Sequence, residues 1–325
     1  MHPITKIAAA ITLAFSSVNL CADENRLVFA AQWMPQAQFA GYYVAIDQGF
    51  YEEAGISLEI IYPSYTRKSL DYLTEGEADI ASLFLVNAIK AKSQGTKLIN
   101  IAQLIKKSSI LFVSKKDSGI ETLQDFEGKR AGVFMTGFEE IPKSLLAEHH
   151  IDVEWIPILS SVNLFLIGGL DLMTVMYYNE YNRLYLSGIN WDEMNTFFMA
   201  DYGYDFPEDG LYVLEHTFHE RKNDLKDFVD ATIKGWEFAA ANKSYTIELV
   251  VELMRENNIP SNRTHMSWML DKVLEAYGFT EDHEQLTHLE KADFDKAVEM
   301  LLNFGSITAS IDYDDFYRPV WRGTK

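Results

Sequence analysis

Leu27-Val28-Phe29-Ala30-Ala31-Gln32, followed at once by Trp33-Met34-Pro35-Gln36-Ala37-Gln38-Phe39-Ala40-Gly41-Tyr42-Tyr43-Val44-Ala45, sets the pattern of the whole chain. An apolar run of strand length feeds a loop, and the loop feeds a segment with helical spacing. Gly49 and Gly55 then bracket Phe50-Tyr51-Glu52-Glu53-Ala54 as a helix end and a short turn. The next apolar runs are Ser57 to Tyr62, Ile80 to Leu83 and Leu98 to Leu104. Strands separated by helical stretches suit right-handed crossover units, so the fold class is α/β.

The pattern restarts after Gly128-Lys129-Arg130, with strands expected at Ala131 to Phe134, Val153 to Ile156 and Leu172 to Met176 and a helix at Glu140 to Glu148. Gly76-Glu77-Ala78-Asp79-Ile80 is echoed by Gly168-Gly169-Leu170-Asp171-Leu172, which supports two similar lobes. From Asp224 the chain is almost purely helical, and these helices are expected to pack on the first lobe. The expected division is a signal segment over 1–22, the first part of lobe 1 over 23–114, lobe 2 over 115–208, and a return to lobe 1 over 209–325. Crossovers are expected near Phe112 to Lys115 and near Tyr204 to Leu211.

The amino terminus reads as a secretory signal: Lys6, an apolar run from Ile7 to Phe15, Ser16, Ser17 and a small-residue exit at Ala22. Nine apolar residues fall far short of the ~20 that span a bilayer. Cys21 offers lipidation as a competing fate, disfavoured by bulky Leu20 just before it. Cleavage after Ala22 removes the chain's one cysteine, and with it disulfides and thiolate chemistry. A formal charge of -20 argues against nucleic acid or an anionic membrane as partner, since both call for clustered Lys and Arg.

The opening stretch, together with Gly49-Phe50-Tyr51, Ala54-Gly55-Ile56, Gly76 to Asp79, Phe126-Glu127-Gly128-Lys129-Arg130 and Tyr178-Asn179-Glu180-Tyr181, resembles one solute-binding family. That family contains alkanesulfonate-binding and thiamine-pyrimidine-precursor-binding proteins, and the resemblance runs from about Leu27 to Val213. It implies a type II periplasmic-binding fold with a ligand in the cleft between lobes. It also implies a monomeric receptor that delivers a small molecule to an ABC permease driven by a cytoplasmic ATPase. Placement at the carboxyl ends of strands agrees with the general behaviour of open α/β sheets.

The candidate ligand residues follow from surface type. Trp33, Phe39 and Tyr42 offer flat faces for a ring, with Trp33 and Tyr42 expected nearer the cleft and Gly41 permitting close backbone approach. Thr136 and Glu139 lie in a turn from strand to helix, where free amides can hold a polar group or simply cap the helix. Tyr178, Asn179 and Glu180 form the best polar set, Glu180 accepting from amino or ring N–H donors, while Tyr177, Tyr181 and Tyr185 read as a packed face. Ser64, Tyr65 and Phe84 come from loops expected to complete the walls, with Ser161 to Asn163 beside them.

An enzymatic relative of the family, the yeast-type pyrimidine synthase, carries a sacrificial histidine and a cysteine cluster that this sequence lacks. The eight histidines are scattered and read as solvated, so no catalytic residue, metal or cofactor is expected. A thiamine pyrimidine precursor is the favoured ligand. An alkanesulfonate, a flavin or another small solute remains the alternative, as does a sensory role.

Overall fold

The computed structural model describes residues 25–64, 66–134, 139–278 and 285–320. The signal segment with Cys21, and the candidates Tyr65 and Thr136, lie outside them.

Ten strands form two sheets: β1 Arg26–Ala30, β2 Ser57–Ile61, β3 Ile80–Phe84, β4 Leu98–Gln103, β5 Ile110–Lys115, β6 Arg130–Phe134, β7 Glu154–Ile158, β8 Leu172–Met176, β9 Met194–Phe198 and β10 Asp209–Leu214. Their spatial orders are β2-β1-β3-β10-β4 and β7-β6-β8-β5-β9. Each lobe is thus the same design, in which three parallel strands are followed by an antiparallel strand that has just arrived from the other lobe.

The echo around the two aspartates has a structural cause. Asp79 accepts from the amide of Val28 at 2.8 Å and returns its own amide to the Val28 carbonyl at 2.9 Å. Asp171 does the same with Arg130, at 2.9 Å and 3.0 Å. In each lobe this short polar residue ties the entry of the third strand to the first.

One expected crossover is corrected. Phe112 to Lys115 lie inside β5, because Leu111 to Ser114 are buried and pair with both β8 and β9. The chain passes between sheets just before, over Leu104 to Ser109, and again over 199–208. The two passages run side by side, with Ser108 donating to the Asp205 carboxylate at 2.8 Å and the Glu208 amide to the Ile105 carbonyl at 3.1 Å.

Aromatic residues fill both cores. Phe29 stacks on Tyr42 at 4.6 Å and Tyr51 on Phe228 at 5.5 Å, while Phe126 sits edge-on to Phe112 and Phe197. The helix Lys222–Ala241 lies against the helix Ala40–Asp47. The helix Arg263–Tyr277 packs on lobe 1 and also reaches lobe 2, where Trp268 donates its indole N–H to the Tyr177 carbonyl at 3.0 Å. Lys90 of lobe 1 pairs with Glu140 of lobe 2, so the lobes meet across the cleft. Among the described residues, no helix is long and apolar enough to cross a membrane.

Candidate functional site

Between the lobes lies a slit lined by Gln32, Trp33, Gln36, Gln38 and Phe84 from lobe 1 and by Phe134, Met176, Tyr178, Asn179 and Glu180 from lobe 2. About 430 Å³ there is free of protein atoms, mouth included, yet the centre of a water molecule can move through only about 40 Å³. A slit walled by Trp33, Phe84, Phe134 and Tyr178 suits a flat molecule better than a round one.

Strand geometry explains which residues arrive. β1, β3, β6 and β8 all end at this cleft, so the residues that follow them are delivered to its walls. Gln32 and Trp33 follow β1, where the Gln32 amide donates to the Ser82 hydroxyl at 2.9 Å. Phe84 and Phe134 close β3 and β6, and Tyr178 to Glu180 follow β8 directly.

Apart from the Tyr178 hydroxyl and the Trp33 indole N–H, the polar side chains of the slit are acidic or amide. Glu180 is buried, its carboxylate accepting from the Met176 backbone amide at 3.1 Å and from the Asn179 side-chain amide at 2.8 Å. Burial pushes its pKa above the ordinary value, while backbone hydrogen bonds and the charge of Arg183 pull it back. Behind the lobe 1 wall, Asp209 accepts from the side-chain amides of Gln32 and, at 2.8 Å, Gln38. Burial raises Asp209 to about 6, with the two glutamines holding it down. Glu208 beside it is buried as well and raised well above the usual carboxylate range by the same cause. Tyr178 stays a phenol, since burial and the negative charges of Asp209, Glu208 and Glu180 all oppose its ionisation.

His265, read from sequence as solvated, is instead buried between Asn179 and Asn182, with ring nitrogens 3.1 and 2.9 Å from their side chains. Burial, reinforced by the charge of Arg183, lowers its pKa to about 4. The ring is therefore neutral at pH 7. Since the Asn179 amide nitrogen donates to Glu180, its carbonyl faces the ring and takes the Nε2–H. His149, His150, His216 and His219 are exposed, as their sequence setting implies.

The other candidates separate cleanly. Trp33, Phe84, Tyr178, Asn179 and Glu180 are brought together in the slit. Phe39 and Tyr42 are not, because Phe39 is buried in lobe 1 and Tyr42 is sandwiched in the aromatic core beside Phe29 and Trp236. Gly41 makes its close approach to that core and not to the slit: a β-carbon there would sit 2.3 Å from the Trp236 ring. Ser64 is exposed and caps its own loop by accepting from the Arg67 amide at 3.1 Å. Glu139 precedes the helix Glu140–Glu148 outside the slit lining, and Ser161 and Asn163 are exposed. Tyr177, Tyr181 and Tyr185 do form a packed face, extended by Trp191 and Trp268 into a continuous stack across the lobes.

Sequence reasoning missed Gln32, Gln36 and Gln38. The available signal was three glutamines crowded among apolar residues next to a strand end, where a polar amide is retained only if it finds partners.

A model of one protein family, described as NMT1/THI5 like, matches residues 36–244, which include every lining residue of the slit given above except Gln32 and Trp33. The chain belongs to the NMT1/THI5-like family. The chain is similar to the formylaminopyrimidine-binding protein of Halalkalibacterium halodurans, 22% identical over 269 residues covering 79% of this chain and 80% of that protein. The riboflavin-binding protein RibY of Chloroflexus aurantiacus is 22% identical over 264 residues, covering 78% and 74%. Among solved structures, the periplasmic aliphatic sulphonate binding protein SsuA of Escherichia coli superposes with a TM-score of 0.69 at 11% identity, over 93% of this chain and 94% of that one. The two-lobed architecture is the type II periplasmic binding fold.

Proposed function

We propose that this chain is the extracytoplasmic receptor of an ABC importer and captures a flat heterocycle bearing hydrogen-bond donors, of the thiamine pyrimidine precursor class. The observation that carries this reading is the buried Glu180 carboxylate in a slit of aromatic rings, with no Lys or Arg among the described lining residues. A sulfonate or other anion brought there would meet a second negative charge at low dielectric, whereas an amino group or ring N–H meets an acceptor. The formylaminopyrimidine-binding relative supports the same class. A flavin is the second reading, favoured by the riboflavin-binding relative and by the ring-lined walls.

The reading is of a receptor and not of a pyrimidine-forming enzyme. What the slit offers is stacking surface, amides, a phenol and a carboxylate, arranged to hold a ring. Release into a permease then follows when the lobes part about the paired passages at Leu104 to Ser109 and 199–208.

A thermal-shift panel tests the assignment. In it, 4-amino-5-hydroxymethyl-2-methylpyrimidine and formylaminopyrimidine should raise the melting temperature, because a ligand bound only by the folded state stabilises it. A shift with riboflavin alone would transfer the assignment to the second reading, and a shift with sulfonates or nitrate alone would overturn both. Trp33→Ala should weaken binding of the stabilising compound by ~1 to 3 kcal/mol through loss of an aromatic wall, measured by titration calorimetry. An unchanged affinity would remove Trp33 from the site.

A further inference from the structure

We propose that Asp209 sets the polarity of the lobe 1 wall and thereby makes the slit selective for ligands that donate hydrogen bonds. Asp209 is a positioning residue, acting through Gln32, Gln38 and Gln36. The proposal deepens the reading above and rests on it for the ligand's location.

An ionised carboxylate only accepts, so it fixes which end of each neighbouring amide faces it. One carboxylate oxygen of Asp209 takes the Nε2 of Gln32, and the other takes the Nε2 of Gln38 at 2.8 Å. Turning either amide round would set a carbonyl oxygen against a buried carboxylate, which leaves both unsatisfied. Gln38 therefore presents its carbonyl onward, and Gln36 donates its Nε2 to that oxygen at 2.8 Å. The order is now fixed from Asp209 outward. Gln32 and Gln36 both line the slit; one N–H of each is committed to this chain of bonds, and the carbonyl oxygen of each is turned away from it, meeting no donor among the described residues.

Across the slit a second carboxylate orders its own neighbour. Asn179 donates one amide hydrogen to Glu180 and turns its carbonyl to His265, so the lobe 2 wall carries a fixed acceptor, the Glu180 carboxylate. These oriented acceptors, one set on each wall and standing beside the Tyr178 hydroxyl and the Trp33 indole, call for N–H or O–H groups on the ligand. A ligand that exchanges an amine for a carbonyl oxygen would bring acceptor against acceptor and leave buried groups unpaired, which sites of this kind reject strongly.

Protonation of Asp209 would release the arrangement, because a carboxylic acid O–H can face an amide carbonyl. The groups that face Asp209 are Tyr42 on the helix Ala40–Asp47, Tyr277 on the helix Arg263–Tyr277, Tyr178 from lobe 2, and Tyr212 and Glu208 on or beside its own strand. All four phenols are held neutral by burial, so among these groups the change is carried by the carboxyl groups of Asp209 and its neighbour Glu208.

Asp209→Asn tests the assignment with little change of shape. Side-chain amide spectra of the wild-type protein should show the Gln32 and Gln38 NH2 signals titrating together with a midpoint of about 6, and the titration should be absent from the variant. Gln32 and Gln38 signals that are the same in Asp209→Asn as in the wild type at neutral pH, or that titrate equally in both, overturn the proposal whether or not any ligand is known. In the binding arm, the preference for 4-amino-5-hydroxymethyl-2-methylpyrimidine over its 4-oxo counterpart should fall at least about tenfold in Asp209→Asn. Gln36→Leu, which removes one wall carbonyl without touching Asp209, should lower the same preference. If Glu180→Gln weakens the amino probe while Asp209→Asn and Gln36→Leu leave the preference intact, the wall proposal fails and the receptor reading stands. If the wild-type protein binds neither probe, the receptor reading loses its ligand class and the amide titration alone decides the role of Asp209.

Discussion

Gly235→Ala should lower the stability of the fold by ~3 kcal/mol, the upper end of the range for overpacking. A β-carbon at Gly235 would lie 2.1 Å from the carbonyl oxygen of Gly41, 2.7 Å from the Ala45 β-carbon and 3.0 Å from the Ala45 nitrogen. Two of these neighbours are backbone, so no side-chain rotation relieves the clash. The helix Lys222–Ala241 would have to move off the helix Ala40–Asp47, and its Trp236 would lose its place beside Tyr42 and Tyr277. Alanine is the better helix former by ~1 kcal/mol, which works in the variant's favour, yet it is outweighed by separating two helices at their closest point. Urea unfolding measures the outcome. A midpoint equal to or above that of the wild type would show that the two helices have room to spare.

Glu180→Ala should weaken binding of a donor-bearing pyrimidine by ~2 to 3 kcal/mol, the value of a buried hydrogen bond to a charged partner. The same carboxylate gives the binding a pH dependence with a definite sign. Burial raises the Glu180 pKa, so the charged acceptor is present only above a value higher than that of a free glutamate. Affinity should fall as pH drops through that raised value. Glu180→Gln should remove the Glu180 part of the fall, since an amide does not titrate. Calorimetry at several pH values separates the cases, and a wild-type profile no steeper than that of the glutamine variant would show that Glu180 stays ionised or lies off the ligand.

Much of the architecture was legible because buried parallel strands are written as short apolar runs. β8 and the helix Glu140–Glu148 fall where the periodicity places them, and β1, β2, β3, β4, β6 and β7 differ by a few residues at their ends. β5 was misread because a buried antiparallel strand following a passage between lobes has the same composition as the passage itself. The site was legible where one strand end supplies it, as at Tyr178 to Glu180 and Trp33. It was illegible where partners come from far along the chain: Gln38 meets Asp209 across 171 residues, and His265 reaches Asn179 across 86. Tyr42 was misplaced for a related reason. An aromatic residue in a loop-to-helix segment looks the same whether it faces ligand or core, and only the arrival of Phe228 and Trp236 decides the matter.

The position of β10 has a consequence for the order in which the molecule can be built. All five strands of the second sheet come from one unbroken stretch, Ile110 to Phe198, whereas the first sheet has β10 inserted between β3 and β4. As the chain leaves a ribosome or a translocation pore, the second sheet is complete once residue 198 has emerged. The first sheet must wait, with β3 and β4 unable to join, until residues 209–214 arrive. The strand pairings most distant in sequence, such as Tyr212 with Ala81, thus lie in the first lobe, while the widest of the second joins Leu111 to Phe198. The half synthesised first is finished last.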